Sequence, residues 1–475
     1  MKKQSGVLVG GKWVSTDDSL EVRSPYDGAL VSTISRATAA HLETAASQAL
    51  KGFKQTACLS SYERSRILEG VSTALLRRTE ELALSLCLEA GKTIRDARVE
   101  VARASNTFRV ASEEAKRLGG EYIALDWIKG SDGRFGITRR FPLGPILGIT
   151  PFNFPLNLVA HKVAPAIAAG NSIVIKPASS TPLSALALGE ILLEAGLPEH
   201  AISVLPCASS LAESMVTDER FKMLSFTGSA EIGWRLKTLA GKKRVTLELG
   251  GNAAAIVDEG IPLEPVAEKC ARGAFSNAGQ ICISLQRVYA HEAVYDEFVE
   301  LLTRSTESLI VGDPLDEKTD VGPLIDASSA EKTERWIGDA LAGGARAVTG
   351  AKRNGTLYAP TILTNVKAGM DVSCSEIFAP VVTVTPFRSI EEAIAQVNDS
   401  CFGLQAGVFT NRFDLVLRAF EALEVGGLVV NDVPTYRVDH MPYGGVKDSG
   451  FGREGLRYAI EEMTELRLLA VNSGG

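Results

Sequence analysis

Residues 275–287 read Phe-Ser-Asn-Ala-Gly-Gln-Ile-Cys-Ile-Ser-Leu-Gln-Arg, and Cys282 within them is the side chain to consider first for covalent chemistry. Asn277, Gly279 and Gln280 precede it, and a strand-like run, 285–291, comes directly after. Glycine permits close backbone approach and unusual dihedrals, so the sulfur can stand at the exposed tip of a turn. A thiolate nucleophile needs such access, together with an electropositive local field. The competing reading is a small buried hydrophobe, the commoner fate of an isolated cysteine. What decides between them is the company Cys282 keeps elsewhere in the chain.

The elements that must position it come from the wider pattern. At 475 residues the chain exceeds one ordinary core, so two or three domains are expected. A hydrophobic fraction of 45%, a charged fraction of 23% and a net charge of −7 describe a globular protein with no pull toward nucleic acid or anionic membranes. Seven scattered cysteines with no Cys-x-x-Cys pair argue for a reducing compartment, against a disulfide frame and against a metal site. The first 14 residues, despite Lys2 and Lys3, make a poor export signal because Gly10, Gly11 and Lys12 break the apolar run. The uncharged stretch 141–160 carries four prolines and two asparagines, whose polar groups would be stranded in lipid. A cytoplasmic protein is expected.

Residues 1–35 read as short strands and turns, and 38–118 as helices that end in a long amphipathic one carrying Arg103. Residues 119–140 break the helical period and read as a projecting hairpin. Apolar strands at 146–151, 172–176, 201–205, 223–226 and 245–249 then alternate with helices at 156–169, 183–195, 211–216 and 232–239. Such alternation implies a parallel sheet with helices on both faces, whose ligands bind beyond the carboxyl ends of the strands. A second βα region runs from 250 to about 431, and the apolar tail is expected to pair with the 119–140 hairpin or with another subunit. Residues 450–455 spell Gly-Phe-Gly-Arg-Glu-Gly, a letter-for-letter dinucleotide fingerprint, but without a preceding strand they read as a glycine-rich turn.

Four groups of stretches resemble signatures of the NAD(P)-dependent aldehyde dehydrogenase superfamily, nearest to lactaldehyde and non-phosphorylating glyceraldehyde-3-phosphate dehydrogenases. They are Pro-Phe-Asn-Phe-Pro at 151–155; Lys-Pro-Ala-Ser at 176–179 with Ser-Phe-Thr-Gly-Ser at 225–229; Glu-Leu-Gly-Gly-Asn at 248–252 with Gly-Gln-Ile-Cys at 279–282; and Glu-Ile-Phe-Ala-Pro at 376–380. The resemblance runs nearly end to end and favours the nucleophile reading of Cys282. It implies an α/β fold with a Rossmann-type cofactor domain (1–118 and 139–249), a second α/β catalytic domain (250–445), and a small β oligomerisation arm with the C-terminal tail (119–138 and 446–475). A homodimer or homotetramer is the implied assembly.

The same resemblance assigns roles. Cys282 attacks the aldehyde carbon, and the Asn153 amide and the Cys282 backbone N–H hold the oxyanion. Glu248 activates water to hydrolyse the thioester, which favours a free acid over transfer to coenzyme A. Taken alone, Asn153 reads as a helix cap and Glu248 as a solvated turn carboxylate. Thr150, Phe152, Lys176, Ser179, Gly228, Ser229, Leu249, Glu376 and Phe378 are implied at the NAD or NADP site, with pyrophosphate at the helix opened by Gly228 and Ser229. Ser179 replaces a glutamate that many NAD-preferring relatives carry, which removes repulsion toward a 2′-phosphate and points to acceptance of NADP. Arg103 and Arg437 stand where related enzymes bind a substrate anion, and Asn157 and His161 where others carry bulkier aromatics; Ile281 departs from the arginine expected before the nucleophile. A small polar or acidic aldehyde is the expected substrate, with semialdehydes of the succinate or phosphonoacetaldehyde type, or a non-catalytic binding role, as alternatives.

Overall fold

The four-residue runs Ile146–Ile149 and Ile173–Lys176 bury every residue, which requires a sheet covered on both faces. In the computed structural model, which describes residues 6–473, these runs lie at the centre of an eight-stranded sheet. Its order is Lys12–Val14, Val7–Val9, Ile202–Val204, Ile173–Lys176, Ile146–Ile149, Met223–Thr227, Arg244–Glu248 and Gly450–Phe451. The five strands between the N-terminal hairpin and Gly450–Phe451 are parallel, as the strand–helix alternation requires. The N-terminal hairpin does not stand apart: Val7–Val9 pairs antiparallel with Ile202–Val204 through Leu8 and Val204. Residues 1–5, which hold Lys2 and Lys3, and the last two residues of the tail lie outside the described part.

A second, seven-stranded sheet runs Arg346–Thr349, Thr361–Thr364, Val381–Phe387, Arg287–His291, Ala254–Val257, Gln405–Phe409 and Gly427–Val430, parallel except for its first strand. Each of the two sheets lies among its own buried apolar clusters. A third sheet joins Tyr122–Ala124, Arg134–Pro142 and Thr464–Asn472, the last two antiparallel over nine residue pairs from Thr464–Pro142 to Asn472–Arg134. The tail therefore pairs with the hairpin of its own chain. Residues 446–463 do otherwise: Gly450–Phe451 edges the first sheet beside Leu247 and Glu248, and the helix Leu456–Glu462 packs on Asn157–Ala169.

One connection governs the site. The helix Ile94–Arg117, capped where Thr93 accepts from the Asp96 N–H at 3.3 Å, carries Glu100 on its buried face. Glu100 accepts from the backbone N–H groups of Leu156 and Asn157 at 3.0 and 3.1 Å, satisfying donors that open the helix Asn157–Ala169. Buried Lys92 pairs with Glu100, and its ammonium lies 3.6 Å from the Phe154 ring centre. The proline-rich loop 151–155 is thereby fixed from below. Among the described residues no helix is long and apolar enough to cross a membrane.

Candidate active site

The helix Leu263–Phe275 ends in a turn in which Asn277, Ala278 and Gly279 all take left-handed backbone, with φ of 50°, 54° and 71°. A Cβ on Gly279 would stand 2.1 Å from the Ala379 carbonyl oxygen, so no other residue fits without moving backbone. Gln280 locks the chain on either side of the nucleophile: its amide nitrogen donates to the Asn277 and Pro323 carbonyls at 3.2 and 3.3 Å, and its Oε1 accepts from the Ile325 N–H at 2.9 Å. Cys282, partly exposed, emerges from this clamp with Sγ 3.1 Å from the Tyr443 hydroxyl. The resting sulfur is not the ready thiolate expected at an electropositive tip. Burial first, and then the Glu248 charge, push its pKa up to about 12, against the smaller opposing pulls of Tyr443 and Arg437.

The loop 151–155 meets the cysteine turn. The Asn153 side-chain amide donates to the Gln280 carbonyl at 2.9 Å, and the Asn277 amide donates to the Asn153 carbonyl at 3.4 Å. Asn153 therefore spends its side chain on the nucleophile turn and not on capping the next helix. Its Oδ1 is buried and without a partner among the described residues. Glu248 ends the strand Arg244–Glu248 in full burial, not in solvent, and neither of its oxygens closes a hydrogen bond among the described residues. Desolvation, then the Glu454 charge, hold its carboxyl well above the usual range, with Arg437 and Lys162 opposing. The Tyr443 hydroxyl faces this carboxyl too, near enough to favour its ionised form.

Behind Tyr443 lies a chain of charges. The Arg437 guanidinium stacks on the Tyr443 ring at 3.6 Å and bonds Glu454 Oε2 at 3.0 Å and His161 Nδ1 at 2.8 Å. His161 Nε2 lies 3.0 Å from Asp439 Oδ1, which Arg103 also meets at 3.3 Å. Lys162 reaches Ser225, Thr227 and, at 3.4 Å, Glu454 Oε1. Asp439 and Glu454 are both held below the ordinary carboxylate range: burial opposes this, while His161 and Arg103 act on the first and Lys162, His161 and Arg437 on the second. Arg103, Arg437 and His161 thus meet through carboxylates. Asn157 stands apart, its Oδ1 accepting from Thr107 at 3.2 Å. Arg437 Nε is buried without a partner among the described residues.

The other side of the cysteine turn collects the residues implied for the dinucleotide. Thr150 lies just past the strand Ile146–Ile149 with its hydroxyl buried and unpartnered among the described residues, and Lys176 ends the neighbouring strand, mostly buried. The Ser179 hydroxyl donates to the Cys207 carbonyl at 3.5 Å. Gly228 and Ser229 lead into the helix Ala230–Leu239, whose first turn lacks any side-chain cap and so keeps free N–H groups. Leu249 packs beside that helix, against Gly233. Glu376 accepts from the Gly251 N–H at 3.1 Å and presses so close to Gly250 that a Cβ there would overlap its carboxyl; burial raises its pKa to about 7. Phe378, with φ of 56°, sets its ring edge-on to Phe152 at 5.9 Å. A buried lysine, an orphaned hydroxyl at a strand end and an uncapped ten-residue helix fit a dinucleotide phosphate and its ribose.

Sequence reasoning missed Tyr443, Asp439, Glu454 and Lys162. Glu454 hides inside the glycine-rich turn set aside as a false fingerprint. A lysine in the otherwise apolar helix Asn157–Ala169 was the available signal, since a buried ammonium needs a carboxylate partner. Among the described residues no cluster of His, Cys, Asp and Glu could hold a metal.

Known proteins resemble this chain over nearly its whole length. A 3-sulfolactaldehyde dehydrogenase from Priestia aryabhattai is 46% identical over 471 residues, 99% of this chain and 98% of that one. A crystal structure of an aldehyde dehydrogenase from Physcomitrella patens, in complex with the reaction product succinate, superposes with a TM-score of 0.97 at 43% identity, covering 99% of this chain and 98% of that one. That of a glyceraldehyde-3-phosphate dehydrogenase from Methanocaldococcus jannaschii complexed with NADP gives 0.93 at 38% identity, covering 96% and 100%. The model of the aldehyde dehydrogenase family matches residues 13–469, the whole span from the first hairpin to the tail strand. With a sulfur and an amide meeting at one turn and the Glu248 carboxyl near enough to act on that sulfur, the chain belongs to the aldehyde dehydrogenase family and is an oxidoreductase that uses NAD or NADP to oxidise a small polar aldehyde.

Proposed function

We propose that the substrate is a short aldehyde ending in a singly charged anion, a sulfonate or a carboxylate, and that the product is the free acid. The observation that carries this is the charge count behind Tyr443. Arg103, Arg437 and Lys162 bring three cations against the carboxylates of Asp439 and Glu454 that they meet, while burial disfavours the charged form of Glu248. One positive charge is left over, which one anionic group neutralises. Arg437 Nε, buried and unpartnered, supplies a donor, and Arg103, about a third exposed, stands at the outer end of the network. The sulfonate of the Priestia substrate, and the one carboxylate of the Physcomitrella product succinate that does not arise from an aldehyde, each present a single anionic group. Ile281, in place of a further arginine, weakens the case for a phosphate dianion.

The chemistry follows from the residues. Cys282 Sγ adds to the aldehyde carbon, forming the C–S bond and moving the carbonyl π electrons to oxygen. The thiol proton passes to the Tyr443 hydroxyl, which releases its own to solvent water. The new oxyanion accepts from Asn153 and from the Cys282 backbone N–H, which meets no other acceptor among the described residues; losing one such donor costs about 3–4 kcal/mol. Phe152, Phe378 and Glu376 would hold the nicotinamide, which would supply the acceptor for the hydride that leaves the former aldehyde carbon. Glu248, as its carboxylate, then removes a proton from water, whose oxygen adds to the thioester carbon as the C–S bond breaks and the Cys282 thiolate leaves. Ser179 leaves room for a 2′-phosphate, so NADP is accepted. The proposed setting is the cytoplasm and the proposed assembly a homodimer or homotetramer.

The test compares kcat/KM for 3-sulfolactaldehyde, succinate semialdehyde, lactaldehyde and glyceraldehyde 3-phosphate, each with NAD and NADP. The two monoanions are expected to lead, and Arg103→Gln to lower kcat/KM about tenfold for them but not for neutral lactaldehyde. Equal loss with all four removes the anion-binding role. A burst of reduced nicotinamide that survives Cys282→Ala removes the mechanism, and no turnover with any pair favours a binding protein.

A further inference from the structure

Where the arm meets the body, a cavity of about 390 Å³ is lined by Arg64, Arg139, Arg140 and Arg467, with Ser60 and Ser61 beside them and no acidic side chain. Among the described residues only Arg140 of these four meets a carboxylate, 3.7 Å from Glu461. Arg64 donates to the Ser61 hydroxyl at 3.2 Å, but its Nε is buried with no partner among the described residues. Arg139 and Arg467 face each other directly across the antiparallel pair, a like-charge placement that opposes strand pairing. Both rest on the Phe141 ring, at 5.2 and 4.4 Å, and neither makes a hydrogen bond or ion pair among the described residues. The helix Ser61–Arg77 also starts here, but Glu63 already caps it through Ser60, so the guanidinium groups are what define the site.

We propose that this pocket binds a small polyvalent anion of phosphate chemistry, which ties the arm to the body of the subunit. Guanidinium forks match phosphate oxygens bidentately, and stacking on Phe141 holds two of the forks in place in advance. Such an anion relieves the repulsion across the strand pair and gives Arg64 Nε the acceptor it lacks. Burial and the Arg139 charge both depress the Arg64 pKa, the environment an anion would reverse. The site shares no residue with the catalytic network and is distinct from the Arg103–Arg437 subsite.

The experiment follows thermal unfolding of the full chain with NADP saturating, as inorganic phosphate, pyrophosphate or AMP is added at ionic strength fixed with chloride. A saturable rise in Tm is expected, kept in Arg103→Gln and weakened about tenfold in affinity by Arg139→Gln or Arg467→Gln. Pyrophosphate ahead of AMP points to a free inorganic anion, and the reverse to a phosphate monoester, both within the proposal. A response no greater than that to chloride overturns it, as does loss of the shift in Arg103→Gln alone. If the anions have no effect while Arg139→Gln lowers the solution mass, the pocket instead takes a carboxylate of a second copy, and the proposal falls.

Discussion

At the level of single residues, Tyr443 is the group whose chemistry is most exposed to experiment. Its hydroxyl is the hydrogen-bond partner of the nucleophile and pulls the Cys282 pKa down, against burial. Tyr443→Phe therefore raises that pKa further, and because only the thiolate reacts, alkylation by iodoacetamide should slow about tenfold at a fixed pH near 8 and recover at higher pH. An unchanged pH profile would deny Tyr443 any part in the proton's path. Glu248→Gln should keep the burst and slow steady-state turnover by roughly 100-fold or more, since hydrolysis alone loses its base. In the native enzyme the raised Glu248 pKa makes its carboxylate scarce in acid, so deacylation should rise with pH through that group's titration. Cys282, Asn153 and Glu248 were legible as candidates because short motifs carry them. Their protonation states were not, because burial comes from elements hundreds of positions apart, as do Glu454 and Asp439.

The same lesson holds for elements, with a different boundary. Apolar runs located the parallel strands and their helices within a few residues, since periodicity depends only on which faces are buried. Pairing was less legible. Leu8 joining Val204, and Gly450 lying beside Glu248, are sheet-edge choices that a local pattern does not encode. The cysteine turn is where element and chemistry meet, and it makes a sharp prediction. Gly279→Ala places a methyl against the Ala379 carbonyl in a left-handed conformation and should cost about 1–3 kcal/mol in urea unfolding, with activity falling further because Sγ is displaced. Gly338→Ala, in a helix with open space around it, should instead be neutral or stabilising by up to about 1 kcal/mol. Equal effects at both positions would mean that the turn yields easily and that its strained geometry does not hold the nucleophile.

For the molecule as a whole, the open question in the fold is what covers the arm. Among the described residues the strand Thr464–Asn472 pairs along one edge only, and Leu466, Leu468 and Leu469 are all more than half exposed. Trp127 and Ile128, at the tip of the hairpin, are more exposed still. A long, unpaired edge with apolar side chains is a template for another chain, and proteins that stay soluble cover it. A second copy is the expected cover. Leu466→Asp with Leu468→Asp should therefore lower the mass measured by light scattering to that of a monomer. Cys282, Asn153 and Glu248 come together within one subunit, so that monomer should still give a burst of reduced nicotinamide, with a lower Tm because the edge is now wet. A mass that does not change would place the interface elsewhere, and a burst that vanishes in a folded monomer would show that the site needs its neighbour.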